Sequence, residues 1–275
     1  MIKKIISSLA IFILVTGGIL LMASDFMQGR VVSHVSTELI RPEEFERNME
    51  VEAEFDPDAV DAINLEHVLA IMNEELPAIG EIIIPSVGIH LPIIRGMTNE
   101  TLSAGAGTFR PDQVMGQGNY ALASHRMHHP DLLFTPLERI ALGDNVYLRG
   151  IDNIYIYTVT KIEIVGYYRG DVVEDMVGEG LLTLITCTED MVDRLKVRGE
   201  LEQIVSLEDL QESEEFEELL ETLPITWETT IETVIIPRPY IEIGLVIAGA
   251  VLAGFLAVFI SLKRKKGKQV EEVVT

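Results

Sequence analysis

Apolar residues are concentrated in two long, uncharged segments of this 275-residue chain. Residues 5–23 and residues 243–262 contain no Asp, Glu, Lys or Arg. Each segment is long enough to cross a hydrocarbon core of roughly 30 Å as a helix. We therefore predict a transmembrane helix near each end of the chain, with an ordinary soluble domain between them.

Between the two apolar segments, helical spacing gives way to β-type spacing. Residues 24–78 form an acidic connector in which apolar residues recur at helical spacing over 59–76. From 79 to 206, short β-rich runs are separated by Gly, Pro, Asn and Asp. This pattern predicts a mostly β fold, either a sandwich or a barrel. Residues 207–222 are predicted to form an acidic amphipathic helix within a spacer, 207–242.

The basic residues at the two ends of the chain predict its orientation. Lys3 and Lys4 precede the first apolar segment, and five Lys and Arg residues between 263 and 268 follow the second. By the positive-inside rule, the N-terminus (1–4) and the basic tail (263–275) are cytoplasmic, and the middle lies on the extracellular face of the cell membrane. A cleaved signal peptide is the alternative for the first segment.

The chain as a whole is strongly acidic, with 44 Asp and Glu against 21 Lys and Arg and a formal net charge of −23. Such a charge argues against a nucleic-acid-binding face and against a face that binds anionic lipid. Solvated surface acidity is the ordinary interpretation, and attraction of cations is the alternative. We predict no nucleic-acid partner.

Cys187 is the only cysteine, so no internal disulfide can form. An intermolecular bridge, a buried structural thiol and a reactive thiol remain open. Cys187 ends the β-type run LLTLITC and precedes a polar loop. A side chain at the end of a strand is well placed to face a cleft.

One of the six histidines also ends a β-type run. His125 follows NYALAS and precedes the polar loop RMHHPD, so a Cys–His pair results if the two strand ends are neighbours. A thiol nucleophile needs such a proton acceptor. His128 and His129 lack further metal ligands at suitable spacing, and we predict no metal. His90 is predicted to lie on a strand with its side chain on the surface.

An oxyanion donor is the third requirement of a thiol acyl-transfer site. Arg194 and Arg198 lie in the run RLKVRGE. In a strand they share a face but are about 13 Å apart, so only one can lie beside Cys187. Arg194, which is nearer the loop, is the predicted donor. Arg198 is assigned a peripheral or salt-bridging role.

These runs resemble the active-site segments of sortases, the cysteine transpeptidases of Gram-positive bacteria. TLITC with RLKVRGEL is similar to the nucleophile segment, and NYALASH is similar to the histidine strand. The resemblance covers roughly residues 79–205. It implies an eight-stranded sortase β-barrel with short helices in which His125, Cys187 and Arg194 are catalytic. It also implies that Thr186 helps line the substrate groove. We predict no cofactor.

Within the family the blocks are most similar to class A, which transfers Leu-Pro-x-Thr-Gly (LPxTG) surface proteins to a cell-wall precursor amine. A second apolar segment near the C-terminus is typical of class C, the pilus-building sortases. Transfer to a pilin lysine is therefore the alternative. Asp56-Pro57 is followed by Asp58, and the aromatic lid anchor of class C is absent. A non-catalytic membrane scaffold remains a competing interpretation. A papain-like protease is disfavoured because His precedes Cys and no helical run follows Cys187.

Overall fold

The computed structural model describes residues 16–18, 28–166, 180–189 and 192–211. The chain divides into two units, residues 1–226 and 227–275, and all described residues belong to the first unit. None of the helices in the described ranges has the length and apolar character needed to span a bilayer.

The two predicted membrane spans remain predictions. Of the first span, only residues 16–18 are described, and they are helical. The second span, 243–262, lies outside the described residues, as does the basic tail that follows it.

Eight strands form a closed barrel in the order β1-β2-β3-β4-β7-β8-β6-β5. The prediction of an eight-stranded, mostly β domain is confirmed. Their bounds are β1 Ala78–Ile84, β2 Ile89–Ile94, β3 Ala106–Thr108, β4 Asn119–Ala123, β5 Asn145–Arg149, β6 Asn153–Gly166, β7 Leu181–Cys187 and β8 Asp193–Ser206. Neighbouring strands pair antiparallel except for β2 with β3 and β4 with β7, which are parallel.

Alternation along the strands fills the barrel. In β7, Leu182 and Leu184 point inward and are fully buried. Thr183, which lies between them, points to the outer face. The phenol of Tyr157 is also inside, and its oxygen accepts a hydrogen bond from the Gly116 amide at 2.9 Å. The largest buried side chains include Tyr120, Tyr157, Phe134, Ile82, Leu122 and Leu137.

The barrel closes where β1 pairs with β5, and a buried carboxylate lies at this seam. Glu81 is fully buried and accepts a hydrogen bond from Arg149 Nη1 at 2.8 Å. Its second oxygen lies 2.6 Å from His90 Nε2. His90 lies on β2 as predicted, and this contact leaves its side chain 24% exposed. Gly88 reverses the chain between β1 and β2 with φ of 72°, which favours glycine.

Short helices lie outside the strands: α1 (28–39), α2 Phe45–Asn48, α3 Leu65–Ala70, α4 Asn99–Ala104 and α5 Leu207–Gln211. The described residues also include 3₁₀ turns at Pro42–Glu44, Pro57–Ala59, Pro85–Val87 and Thr135–Arg139. The helix predicted over 59–76 is shorter than expected. Asn64 caps its start by accepting from the His67 amide, and buried Ile71 already lies in the turn after it. Of the acidic helix predicted over 207–222, the structure describes only α5.

The acidic connector packs against the barrel. Val32, Val68 and Ile71 join the main hydrophobic core. The Ser36 hydroxyl donates to the Ala104 carbonyl at 2.6 Å, and the Asn48 side-chain amide donates to the Ala78 carbonyl at 2.8 Å. The described part of the connector is thus an integral layer of the domain.

Candidate active site

Two parallel strands bring the predicted nucleophile and base to one edge of the barrel. Ala123 of β4 pairs with Ile185 of β7, and the next amide of the β4 side, Ser124, donates to the Ile185 carbonyl at 3.3 Å. Parallel neighbours run in the same direction, so both chains leave the sheet at the same edge. His125 and Cys187 are each two residues beyond this pair and therefore meet there.

The third predicted residue comes from the antiparallel neighbour. Arg194 lies opposite Cys187 in the β7–β8 register, whereas Arg198 lies opposite Thr183. Directly opposed residues in antiparallel strands have Cα atoms about 4.5–5.5 Å apart. The structure therefore places Arg194, and not Arg198, beside the thiol. Its Nη1 donates to the Asp193 carbonyl at 3.2 Å.

The backbone of His125 is fixed by hydrogen bonds, whereas its ring Nε2 has none among the described residues. Its amide donates to the Leu102 carbonyl at 3.2 Å, and its carbonyl accepts from the Phe134 amide at 3.2 Å. The side chain is 5% exposed, and Nε2 has no hydrogen-bond partner among the described residues. Burial, followed by the charges of His67 and Arg194, lowers the pKa of His125 to about 4.

The thiol of Cys187 is half-buried, and burial raises its pKa above the ordinary value. The guanidinium groups of Arg194 and Arg126 act in the opposite direction by favouring the thiolate. The raised thiol pKa and the lowered imidazole pKa of His125 both favour neutral forms at neutral pH. We therefore expect Cys187 and His125 both to be uncharged at neutral pH.

Arg126 belongs to the site, although sequence reasoning gave it no role. It follows His125 directly, and its guanidinium is fixed by a hydrogen bond from Nε to Glu138. Its charge acts on Cys187. The available signal was its place directly after His125.

His67 is a second unexpected neighbour. It lies in α3, its charge acts on His125, and its Nδ1 is buried without a hydrogen-bond partner among the described residues. Sequence reasoning placed it only in the connector. The local sequence pattern does not predict this electrostatic interaction, because it depends on how α3 packs against α4.

Thr186 points away from the thiol. Neighbouring residues of a strand face opposite sides, and Thr186 is 2% exposed with its hydroxyl donating to the Ser124 carbonyl at 2.9 Å. This bond ties the end of β7 to the residue before His125, so the contact suits a positioning role. A direct role of Thr186 in substrate binding stays a prediction.

A cleft of about 580 Å³ opens beside the strand ends. It includes the turn that follows Cys187 and the ends of β6 and β8. Its lining residues are Glu138, Ile164, Thr188, Glu189, Asp193 and Leu195. Within the described ranges, no three His, Cys, Asp or Glu side chains are grouped closely enough to hold a metal ion.

The sortase domain family matches residues 82–202, a range that contains His125, Cys187 and Arg194. Sortase A of Streptococcus agalactiae is 35% identical over 207 residues, which are 71% of this chain and 84% of that protein. The chain belongs to the sortase family. Sortase A of Listeria monocytogenes is 34% identical over 215 residues, 75% of this sortase and 95% of the relative.

Solved structures agree on the fold. The crystal structure of sortase C-3 from Streptococcus pneumoniae aligns with a TM-score of 0.51 and 21% identity, covering 70% of this sortase and 95% of that chain. At this identity the match supports the barrel alone. The class A resemblance is confirmed by the names of the two curated relatives.

Proposed function

We propose that this sortase is a cysteine transpeptidase that cleaves LPxTG-type sorting signals between Thr and Gly. The observation that carries the proposal is the meeting of Cys187, His125 and Arg194 at one edge of the barrel. Each residue supplies one requirement of acyl transfer, namely a nucleophile, a proton carrier and an oxyanion donor. A non-catalytic scaffold would not explain why these three residues lie together.

Acylation starts from the neutral pair. The Cys187 thiol gives its proton to His125, and Sγ attacks the carbonyl carbon of Thr in the signal. The carbonyl oxygen becomes an oxyanion, which the Arg194 guanidinium stabilises with charge-assisted hydrogen bonds. The imidazolium of His125 then protonates the nitrogen of Gly. The Thr–Gly bond breaks, and an acyl-thioester on Cys187 remains.

Transfer to the acceptor reverses the proton movements. An incoming amine attacks the thioester carbonyl while His125 takes a proton from its nitrogen, and Arg194 again stabilises the oxyanion. The carbon–sulfur bond breaks, and Cys187 regains its proton. Side chains of this sortase carry every step.

The proposal extends to partners and location. The acyl donors are surface proteins with LPxTG-type signals, and the acceptor is an amine of a peptidoglycan precursor. The named relatives, sortase A of two bacteria, support this choice over a pilin lysine. Two transmembrane helices hold the domain at the outer face of the cell membrane, in contact with the lipid bilayer.

Transpeptidation of a labelled peptide tests the function. Full-length protein in detergent is incubated with a fluorogenic Leu-Pro-x-Thr-Gly peptide and triglycine, and products are identified by mass. We expect a ligated product that is lost in Cys187→Ala and falls by 100-fold or more in Arg194→Ala, since one oxyanion donor contributes about 10²–10³ in kcat.

Arg198→Ala is the matched control, because Arg198 lies on the same face of β8 but opposite Thr183. It should keep most of the turnover. Loss in Arg198→Ala with activity preserved in Arg194→Ala would reassign the oxyanion donor. An inert thiol, together with no turnover of any peptide with any amine, would support the scaffold instead.

A further inference from the structure

A single threonine closes the turn between β7 and β8. Beyond the pair of Cys187 and Arg194, the next residues on the two sides are Thr188 and Asp193. The Thr188 amide donates to the Asp193 carbonyl at 3.1 Å. The Thr188 hydroxyl donates to the same carbonyl at 3.1 Å and accepts from the Asp193 amide at 3.2 Å. One side chain therefore binds both backbone groups of Asp193.

The hydroxyl of Thr188 accepts a bond that a regular sheet would make to the backbone. In an antiparallel ladder, a hydrogen-bonded pair of residues exchanges two N–H···O bonds between the two backbones. Here the return bond from the Asp193 amide goes to the hydroxyl. The amide of Asp193 belongs to the peptide unit before that residue, and its carbonyl belongs to the peptide unit after it. Both peptide units are therefore held by Thr188.

The carbonyl that Thr188 holds is also bonded to the guanidinium of Arg194. Arg194 Nη1 donates to the Asp193 carbonyl at 3.2 Å. This carbonyl belongs to the peptide unit that links Asp193 to Arg194, so the arginine side chain folds back onto its own backbone. Arg194 lies opposite Cys187, and its charge acts on the thiol. The direction of one carbonyl therefore helps to set where the guanidinium lies.

Side-chain packing gives this turn little support. Glu189 is exposed, and Val192 is 64% exposed. Thr188, Glu189 and Asp193 line the cleft of about 580 Å³, so one side of the turn faces open space. A segment with few buried apolar contacts opens at low free-energy cost unless other interactions hold it. At this turn we expect the hydrogen bonds of Thr188 to hold the backbone.

We propose that Thr188 is a positioning residue, which holds the Arg194 guanidinium beside Cys187 by fixing the Asp193 carbonyl. Its consequence for catalysis rests on the proposed function: the guanidinium is oriented toward the oxyanion before the reaction starts. Donors that are oriented in advance need no reorganisation at the moment of reaction. The ordinary alternative is that the hydroxyl only closes the turn, as Ser and Thr hydroxyls do in many loops.

Removal of the hydroxyl at nearly constant shape tests the role in turnover. Full-length Thr188→Val is given the LPxTG peptide and triglycine. We expect kcat to fall about tenfold with KM nearly unchanged, because a misplaced oxyanion donor weakens binding of the transition state only. The fall should be smaller than in Arg194→Ala, since the guanidinium is still present. Thr188→Ser keeps the hydroxyl and should restore kcat.

Thr158→Val is the matched control for loss of a threonine hydroxyl. The Thr158 hydroxyl donates to Glu202 at 2.6 Å. Thr158 lies opposite Glu200, which pairs with Leu181 at the other end of β7 from the thiol. This variant should leave kcat unchanged. Thermal unfolding of both valine variants shows whether a loss of stability accompanies the loss of turnover.

A double variant separates a positioning role from a purely structural one. If Thr188 acts through Arg194, then Thr188→Val has no guanidinium to displace in an Arg194→Ala protein. The double variant should therefore turn over the peptide at the rate of Arg194→Ala alone. A general distortion of the turn would lower the rate by the same factor with or without Arg194. Equal factors in the two backgrounds would overturn the inference.

Alkylation of Cys187 by iodoacetamide tests the positioning without any turnover. The charge of Arg194 favours the thiolate, so Thr188→Val should move the pH midpoint of alkylation higher, by less than Arg194→Ala does. It should cause no further shift in an Arg194→Ala protein. Equal shifts in the two backgrounds, or none in either, overturn the inference. Absence of turnover in every protein, with the expected alkylation pattern, overturns the proposed function and leaves the positioning role of Thr188 standing.

Discussion

Two opposing effects act on the pKa of Cys187, and titration of variants can separate them. Burial raises the pKa of the thiol, while Arg194 and Arg126 hold it down. We expect the rate of alkylation by iodoacetamide to rise with pH through a midpoint above the ordinary thiol range. Arg194→Ala and Arg126→Ala should each move this midpoint higher, because each removes a charge that favours the thiolate.

Arg198→Ala is the control for this titration, since its guanidinium lies opposite Thr183. It should leave the midpoint in place. A wild-type midpoint below the ordinary thiol range would show that the arginines outweigh burial. The resting site would then hold a thiolate, and acylation would not begin with proton transfer to His125.

His125 connects the site to the stability of the domain. Its pKa is about 4 in the folded protein and about 6.5 in an unfolded chain. Between these values the unfolded state binds more protons, so the free energy of unfolding falls as pH drops from 6.5 to 4. We expect this residue to contribute a loss of about 3 kcal/mol across the window.

Urea unfolding of wild type and of His125→Gln at pH 7 and pH 4.5 measures this contribution. Other titrating groups are common to both proteins, so they cancel in the difference between the two pH dependences. The variant should be less sensitive to acid than wild type. Equal acid sensitivity would mean that the imidazole is protonated without cost, and that it is more accessible than its burial indicates.

The short helix α4 holds the histidine strand in place. Thr98 caps its start by accepting from the Thr101 amide, and the Thr101 hydroxyl accepts from the Thr98 amide, which completes a capping box. The Leu102 carbonyl of this helix accepts from the amide of His125 and from the hydroxyl of Ser124. The geometry of the cap is thereby transmitted to the base.

Loss of this cap should lower both the stability of the domain and its turnover rate. Thr98→Ala is expected to lower the free energy of unfolding by about 1 kcal/mol and to reduce kcat, since the Leu102 carbonyl loses its fixed position. Thr98→Ser keeps the accepting oxygen and should restore both. Thermal unfolding and peptide turnover provide the readouts. A Thr98→Ala protein as stable as wild type would show that packing alone fixes α4.

Glu81 joins elements that are remote in sequence and so acts on the whole barrel. Its carboxylate binds Arg149 of β5 and His90 of β2, across the seam where β1 and β5 close the sheet. Removal of one member of a buried charge pair is costly because the other remains desolvated. We expect Glu81→Gln to lower the free energy of unfolding by about 3 kcal/mol or more.

The double variant Glu81→Gln with Arg149→Met is the control, because it removes the Arg149 guanidinium as well. Urea unfolding should show it to be more stable than the Glu81→Gln single variant. Equal stability of the two would mean that the guanidinium finds water once the carboxylate is gone. The seam would then depend on backbone pairing and not on the charge cluster.

Local pattern predicted the strands and the candidate site residues but not their surroundings. Cys187 and His125 were visible because each ends a β-type run, and the spacing of Arg194 from the loop distinguished it from Arg198. The contacts of His67, the burial of Glu81 and the place of Lys196 beside Ile185 depend on register between distant segments. The spacing of neighbouring residues along the chain cannot predict contacts of this kind.

The same limit explains the shortened helix in the connector. Apolar spacing predicted a helix over 59–76, and Asn64 does begin one. Ile71 is needed in the main core, however, and lies in the turn where α3 ends. Tertiary packing here prevails over helical periodicity, which is a weak preference by comparison.

The parallel pairing of β4 with β7 determines when Cys187 and His125 come together. Parallel neighbours require a long crossover, and here the chain passes through β5 and β6 before β7 returns beside β4. Contacts between segments so far apart form slowly. We therefore expect a chain emerging from its N-terminus to have no thiol beside His125 until this return is complete. Under the proposed function, incomplete chains would be inert toward the proteins around them.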